Sequence, residues 1–246
     1  MINNVRLEKV LFLDVETVAA NKSYHDLDDD FKKFWDKKAG RFQRNQEELS
    51  TADLYDEKAG IFSEFGKIVC ISVGYFSEWR DNQREFRTKS FFGDDEKILL
   101  EEFSDLLHNY FCNADSDFIC GHNIREFDIP YIGRRMMVNK VKIPPLINIP
   151  GKKPWEVKYL LDTMELWKFG DYKAYTSLAL LAKLFGVPTP KDDIDGSMVN
   201  AVYWEGGQLE RIADYCEKDV IATASVFLAM RGDEILKEGE LIRIDK

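Results

Sequence analysis

Apolar positions recur along this chain with two periods, one of strands and one of helices. The run Val10-Leu11-Phe12-Leu13-Asp14-Val15-Glu16-Thr17-Val18 is almost continuously apolar and predicts a buried strand ending near residue 17. Lys67 to Tyr75 predicts a second buried strand. Glu85 to Phe92 is its hairpin partner, joined through residues 77–84, and Phe118 to Asn123 is a short strand. Helical spacing begins at Asp94 and runs to about Phe111, with Ile98, Leu99, Phe103, Leu106 and Leu107 on one face. Further helices are predicted over Ile129 to Asn139, Thr176 to Phe185 (closed by Gly186), Asn200 to Glu205 and Gln208 to Met230. Pro144, Pro145, Pro150 and Pro154 mark a long loop. Between the first two strands lies a charged stretch, residues 19–60. There Leu27, Phe31, Phe34 and Trp35 predict a helix near 26–38, in an insertion packed on the domain or serving as a lid. No repeat interrupts this order, and it suits one α/β domain over residues 1–246 with antiparallel first strands.

Two acids break the first strand. Asp14 and Glu16 are two apart, so both side chains leave the strand on one face. Such carboxylates repel each other unless a cation lies between them. Two more acids stand in comparable settings. Asp128 follows a short turn after the strand ending at Asn123, where a helix N-cap is the simpler reading. Asp219 falls on the edge of the apolar stripe Leu209, Ile212, Cys216, Val220, Thr223 and Phe227 of the last helix, one turn from Tyr215. An acid bordering a buried face is costly unless something compensates it.

Composition narrows the classes. With 45% hydrophobic residues the chain can bury one large core. No run approaches a membrane span, and the first apolar run is too interrupted for a signal peptide. Cys70, Cys112, Cys120 and Cys216 form no Cys-x-x-Cys pair, which suits reduced thiols in a cytoplasmic protein. The net charge of −10 argues against a sequence-independent clamp on nucleic acid. Yet residues 125–158 carry Arg125, Arg134, Arg135, Lys140, Lys142, Lys152, Lys153 and Lys158 against three acids. Arg134, Arg135, Lys152 and Lys153 are candidates for phosphate contacts, with a solvated helix face and loop as the bland alternative.

Phe12-Leu-Asp14-Val-Glu16-Thr17, then Asn123-x-x-x-Phe127-Asp128-x-Pro130, then Tyr215-x-x-x-Asp219 resemble the three motifs of the DEDD 3′–5′ exonuclease superfamily, in order. Thr176 to Val187 is similar to the helix that precedes the third motif there. The tyrosine marks the DEDDy branch, since the histidine of the other branch would fall at 214, which is Asp. Ser63 to Gly74 and Lys191 to Val199 resemble the proofreading domain of family B DNA polymerases, in particular stand-alone bacterial exonucleases related to it. The resemblance covers nearly the whole chain and is weakest over residues 19–60.

It implies an RNase H-like mixed sheet with flanking helices. It implies two divalent cations, Mg²⁺ or Mn²⁺, on Asp14, Glu16, Asp128 and Asp219, with Tyr215 orienting the attacking water. Thr17 and Asn123 would lie near the substrate. Single-stranded 3′ ends, DNA ahead of RNA, would be cut to nucleoside 5′-monophosphates in proofreading or repair. An RNA or oligonucleotide exonuclease, or a non-catalytic nucleic-acid-binding relative, are the alternatives within the fold. The first motif also resembles haloacid-dehalogenase phosphatases. Those need Asp-x-Asp and a later Gly-Asp-x-x-x-Asp, and Gly93-Asp94, Gly170-Asp171 and Gly232-Asp233 all lack the trailing acid. Asp162 is expected as a helix N-cap, Asp195 as a turn or cap, and His122 as a satisfied strand-end side chain. Tyr172 and Tyr175 could stack on a base or pack at a rim.

Overall fold

The computed structural model describes residues 2–43, 49–77, 84–171, 175–188 and 194–244. Strands β1 (Val10–Ala19), β2 (Gly66–Phe76) and β3 (Phe86–Phe92) form an antiparallel meander. β4 (Phe118–Gly121) and β5 (Leu160–Asp162) run parallel to β1, and β6 (Leu241–Arg243) runs parallel to β3. Among the described residues the sheet order is β5-β4-β1-β2-β3-β6. The expected α/β class with an antiparallel start is what the chain adopts.

Alternation along β1 divides the core. Leu11, Leu13 and Val15 face α3 (Glu96–Tyr110) and α4 (Asp128–Asn139), packing with Leu99, Phe103, Ile129 and Ile132. Val10 and Phe12 face α8 (Leu209–Arg231). There Phe12 meets Phe76, Phe86 and Phe227 edge-on, with ring centroids 6.0, 5.7 and 5.7 Å away. The stripe expected on the last helix is buried as predicted at Ile212, Cys216, Val220, Thr223 and Phe227. Asp14 and Glu16 continue the Phe12 face, so α8 covers the sheet where the acids lie.

Several boundaries move. β1 continues to Ala19 rather than ending near 17, because β2 pairs with it as far as Gly66. The register slips between Glu16 and Thr17, leaving one extra residue on β2. Val69 and Cys70 then both face the α8 side, as a bulge allows. The helix expected from Asp94 is capped instead by Asp95, whose carboxylate accepts the N–H groups of Lys97 and Ile98. Asp94 accepts the Tyr203 hydroxyl at 2.7 Å. Ile98 is exposed and Leu100 takes its place in the buried set.

In the 19–60 stretch the helix begins at Asp29, as α1 (Asp29–Gln43), and a second helix, α2 (Thr51–Lys58), follows. Leu27 and Trp35 are buried with Leu54, Tyr55 and Phe65, but Phe31 and Phe34 face solvent. A single helix can turn only one stripe to its partner, and Trp35–Ala39 is that stripe here.

Candidate active site

Four acids and one tyrosine meet at the middle of β1. Glu16 and Asp128 are buried, at 8% and 3% exposure, while Asp14, Tyr215 and Asp219 keep part of their surface in solvent. β4 pairs with β1 only over Val10 to Phe12, so beyond that point this edge of β1 is open. Gly121 ends β4 where an added Cβ would lie 2.9 Å from the Leu13 carbonyl oxygen. The close approach requires glycine, and it brings the turn after β4 against the strand just before Asp14. Asp128 is then the first residue of α4, not its N-cap, which is Phe127. Its carboxylate accepts the N–H of Val15 across the open edge.

Asp219 reaches the cluster from α8. It acts electrostatically on both Asp14 and Glu16, and the Tyr215 hydroxyl donates to it. The Cys216 thiol lies 3.3 Å from Asp14 Oδ2 and 3.4 Å from the Asp14 carbonyl oxygen. The ligand atoms of Asp14, Glu16 and Cys216 all fall within 4.8 Å of one another.

The electrostatics are those of unneutralised like charges. Burial holds the Asp14 carboxyl well above the usual range, and Asp219, Glu16 and Asp128 add to the rise; the Cys216 thiol partly offsets it. Glu16 is raised by burial, then by Asp219. Asp128 is pushed up to about 7, chiefly by burial. The Tyr215 hydroxyl is held above its ordinary value by burial and then by Asp219, so it is a proton donor at neutral pH. Four mutually repelling carboxylates fit a hard divalent cation, and the Cys216 thiol beside them is occupied by the oxygens of Asp14.

The metal-free protein should therefore lose stability as pH rises. A carboxyl whose folded pKa is raised favours the folded state fully below its unfolded pKa, near 4, and loses that contribution as pH climbs through the folded value. For Asp128 the window is roughly pH 4 to 7. From pH 5 to 8 in chelator we expect a loss of at least about 2 kcal/mol, with Tm falling on the order of 5 °C or more. Asp128→Asn should flatten the profile. Equal slopes for the two proteins in a thermal melt series would refute this.

The surroundings hold the centre in place. Asn123 adopts a left-handed backbone, φ 63°, with its N–H bonded to Asp162 Oδ1 at 2.9 Å. Asp162 is the N-cap of α5 (Thr163–Lys168), as expected, accepting the N–H groups of Met164 and Glu165. It also receives the N–H of Arg125, so one carboxylate braces the turn that carries the second motif. His122 is satisfied at both nitrogens, by Thr163 Oγ1 and the Thr176 carbonyl, each at 2.9 Å. Asp195 makes a turn, accepting Ser197 N–H and Oγ–H at 2.8 and 2.5 Å. Tyr172 and residues 191–193 of the second polymerase-like segment lie outside the described residues.

Two expected substrate contacts change. Strand alternation sends the Thr17 side chain to the opposite face, where it bonds the Tyr131 hydroxyl, so Thr17 does not join the carboxylates through its side chain. Arg135 is not free for phosphate. Its guanidinium grips Glu96 at 2.8 and 2.6 Å and donates to the Ser63 carbonyl at 2.9 Å. Both partners are nearly buried. Arg125 likewise donates to the carbonyls of Leu160 and Val157. Arg134, Lys152 and Lys153 are exposed, with Lys152 beside the Tyr159 hydroxyl at 3.2 Å and Lys153 over the Trp155 ring. Arg135→Ala should thus cost roughly 3 to 5 kcal/mol of stability by stranding Glu96. Neutralising Arg134, Lys152 and Lys153 together should leave stability nearly unchanged and shallow the salt dependence of nucleic-acid binding by up to about one unit per lost contact. Urea melts and a salt titration check the pair; an unchanged salt slope would remove these three residues from the substrate path.

In the sequence Cys216 is one more position of the apolar stripe and one of four unpaired cysteines. No spacing signal distinguishes a core thiol from one beside Asp14; its position one residue after Tyr215 was the available hint.

The sheet order, the antiparallel β1-β2-β3 start and the acidic centre on the middle strand define an α/β protein with a mixed sheet and clustered carboxylates. The chain belongs to the family described as predicted 3′–5′ exonuclease related to the exonuclease domain of PolB, whose profile matches residues 61–238. That span contains Asn123, Asp128, Tyr215 and Asp219 but not Asp14 or Glu16, which the fold brings to them. The fold is similar to that of the family B DNA polymerase from the hyperthermophilic archaeon Pyrobaculum calidifontis. The TM-score is 0.50 at 16% identity, over 90% of this chain and 27% of the polymerase chain. The chain thus spans about a quarter of that protein's length. No curated protein matches this chain significantly. Among the described residues no helix is long and apolar enough to cross a membrane.

Proposed function

We propose that this chain is a single-domain, metal-dependent exonuclease that removes nucleoside 5′-monophosphates from single-stranded 3′ ends, DNA in preference to RNA. The observation that carries the reading is the convergence of Asp14, Glu16, Asp128 and Asp219, with the Tyr215 hydroxyl donating to Asp219. Family membership supports the polarity and bond type. Asp14, Glu16, Asp128 and Asp219 would hold two divalent cations, Mg²⁺ or Mn²⁺. When bound, these supply positive charge to the attacking and leaving oxygens of an in-line displacement at phosphorus.

The chain's own groups do the rest. Tyr215 is protonated, so it orients the attacking water by hydrogen bonding rather than removing its proton. Glu16 and Asp128, both buried, are held by β1 and by the first turn of α4, so they cost little reorganisation at the moment of reaction. The water oxygen bonds to phosphorus as the bond to the 3′ oxygen of the penultimate nucleotide breaks; of the water's two protons, one ends on that 3′ oxygen and the other leaves through the released phosphate to solvent. Asn123, in the turn after β4, would meet the end of the strand, and Arg134, Lys152 and Lys153 are the candidates for meeting upstream phosphates. Thr17 would contribute through its backbone.

An activity panel tests the reading: labelled single-stranded DNA, mismatched duplex DNA and RNA, with Mg²⁺, Mn²⁺ or chelator. Stepwise shortening from the 3′ end of single-stranded DNA, abolished by chelator, is expected. Shortening of RNA alone would transfer the proposal to RNA, and binding without hydrolysis in any metal would identify a non-catalytic relative.

A further inference from the structure

One exposed aromatic, in the segment before the Ser177-capped helix, touches the turn that leaves β4. Tyr175 is 70% exposed, and its hydroxyl lies 3.4 Å from Asn123 Nδ2. Its backbone is anchored next door, because the Thr176 carbonyl bonds His122 Nε2 at 2.9 Å and His122 in turn bonds Thr163. Asn123 is equally constrained, with its N–H on Asp162 and its carbonyl accepting the N–H groups of Glu126 and Phe127 at 3.2 and 3.1 Å. Its side-chain oxygen, Oδ1, is buried and finds no hydrogen-bond partner among the described residues. A buried acceptor left unpaired is costly, so it suits a site completed by a donor from outside.

An exposed aromatic face next to an unfilled acceptor has the chemistry of a nucleotide seat. The ring offers a surface to any base, and the amide oxygen offers an acceptor to a sugar hydroxyl or a base N–H. Its place is set by Gly121, two residues before Asn123, which closes against the Leu13 carbonyl beside Asp14.

We propose that Tyr175 is a substrate-positioning residue that stacks on a base within the last few nucleotides of the strand, with Asn123 holding the tyrosine's edge. This rests on the nuclease reading and deepens it. The stack carries no base preference, since every base has a face, and it excludes a paired end whose bases are already stacked. Tyr175 would therefore favour single strands.

The test uses the full chain in Mg²⁺ with single-stranded DNA oligonucleotides. One is intact, and others carry a single abasic residue at the first, second or third position from the 3′ end. Tyr175→Ala should raise KM for the intact strand roughly 10-fold or more, the size of one base–aromatic stack, with kcat changed less than about threefold. For the oligonucleotide abasic at the stacked position, wild type and Tyr175→Ala should have equal KM. Tyr175→Phe keeps the ring and should stay within about threefold of wild type. An equal KM rise on every oligonucleotide, or none on any, or a Phe variant as impaired as the Ala variant, would overturn the stacking role. Absence of hydrolysis by the wild type would instead overturn the nuclease reading.

Discussion

Asp219→Ala and Asp14→Ala should each keep the fold and lose at least about a hundredfold in turnover. Asp219 projects from the edge of the stripe that packs α8 on the sheet, and it retains some solvent contact. Its removal leaves Ile212, Cys216, Val220 and Phe227 in the core, so the helix has no reason to move. What is lost is one of four carboxylates, and with it the charge that would hold the cations opposite the scissile phosphate. Asp219 also raises the carboxyls of Asp14 and Glu16. In chelator the variant should therefore melt at or above the wild-type temperature, because a repelling charge has gone. Divalent binding should weaken in parallel. Calorimetric titration with Mn²⁺, melts in chelator and single-turnover hydrolysis together check this. Hydrolysis at the wild-type rate by either variant would remove these residues from the catalytic set.

Tyr215→Phe is expected to reduce the single-turnover rate on the order of 10- to 1000-fold while metal affinity stays near wild type. The hydroxyl is a donor, held protonated by burial and by the surrounding carboxylates, and it reaches Asp219 one helical turn away. Phenylalanine keeps the ring and the four acids, so only the hydrogen bond is removed. A packing role predicts almost no change. Rates at saturating Mn²⁺ separate the two, and equal rates would take Tyr215 out of the mechanism. The residual activity should keep the wild-type salt dependence, since no phosphate contact has been altered.

The carboxylates of β1 were legible because a strand's two-residue alternation is local. It follows from backbone geometry that Asp14 and Glu16 share a face. The same holds for the α8 stripe, where 3.6-residue periodicity places Asp219 at the border of the buried side and Tyr215 beside it. The cap at Asp162 is local as well, since its side chain bonds amides two or three residues on. Interactions within one turn or one strand are encoded by neighbours, and neighbours can be read directly.

Pairings across the chain were not legible in this way. β5 and β6 are three residues each, too short for any period, and exist because β4 and β3 offer them edges. Arg135 stood in a basic segment and read as a phosphate contact, yet α3 places Glu96 against it from 39 residues away. Thr17 sat in the motif run, but the alternation that unites the two acids carries its side chain to Tyr131 instead. Cys216 lay in an apolar stripe, and only the descent of α8 onto β1 sets its thiol 3.3 Å from Asp14. The chain's local chemistry therefore names the acids and the elements that bear them. Their convergence, and the difference between a charge available to substrate and one consumed by the core, depend on contacts between segments far apart in the chain, because burial and pairing are properties of the packed molecule.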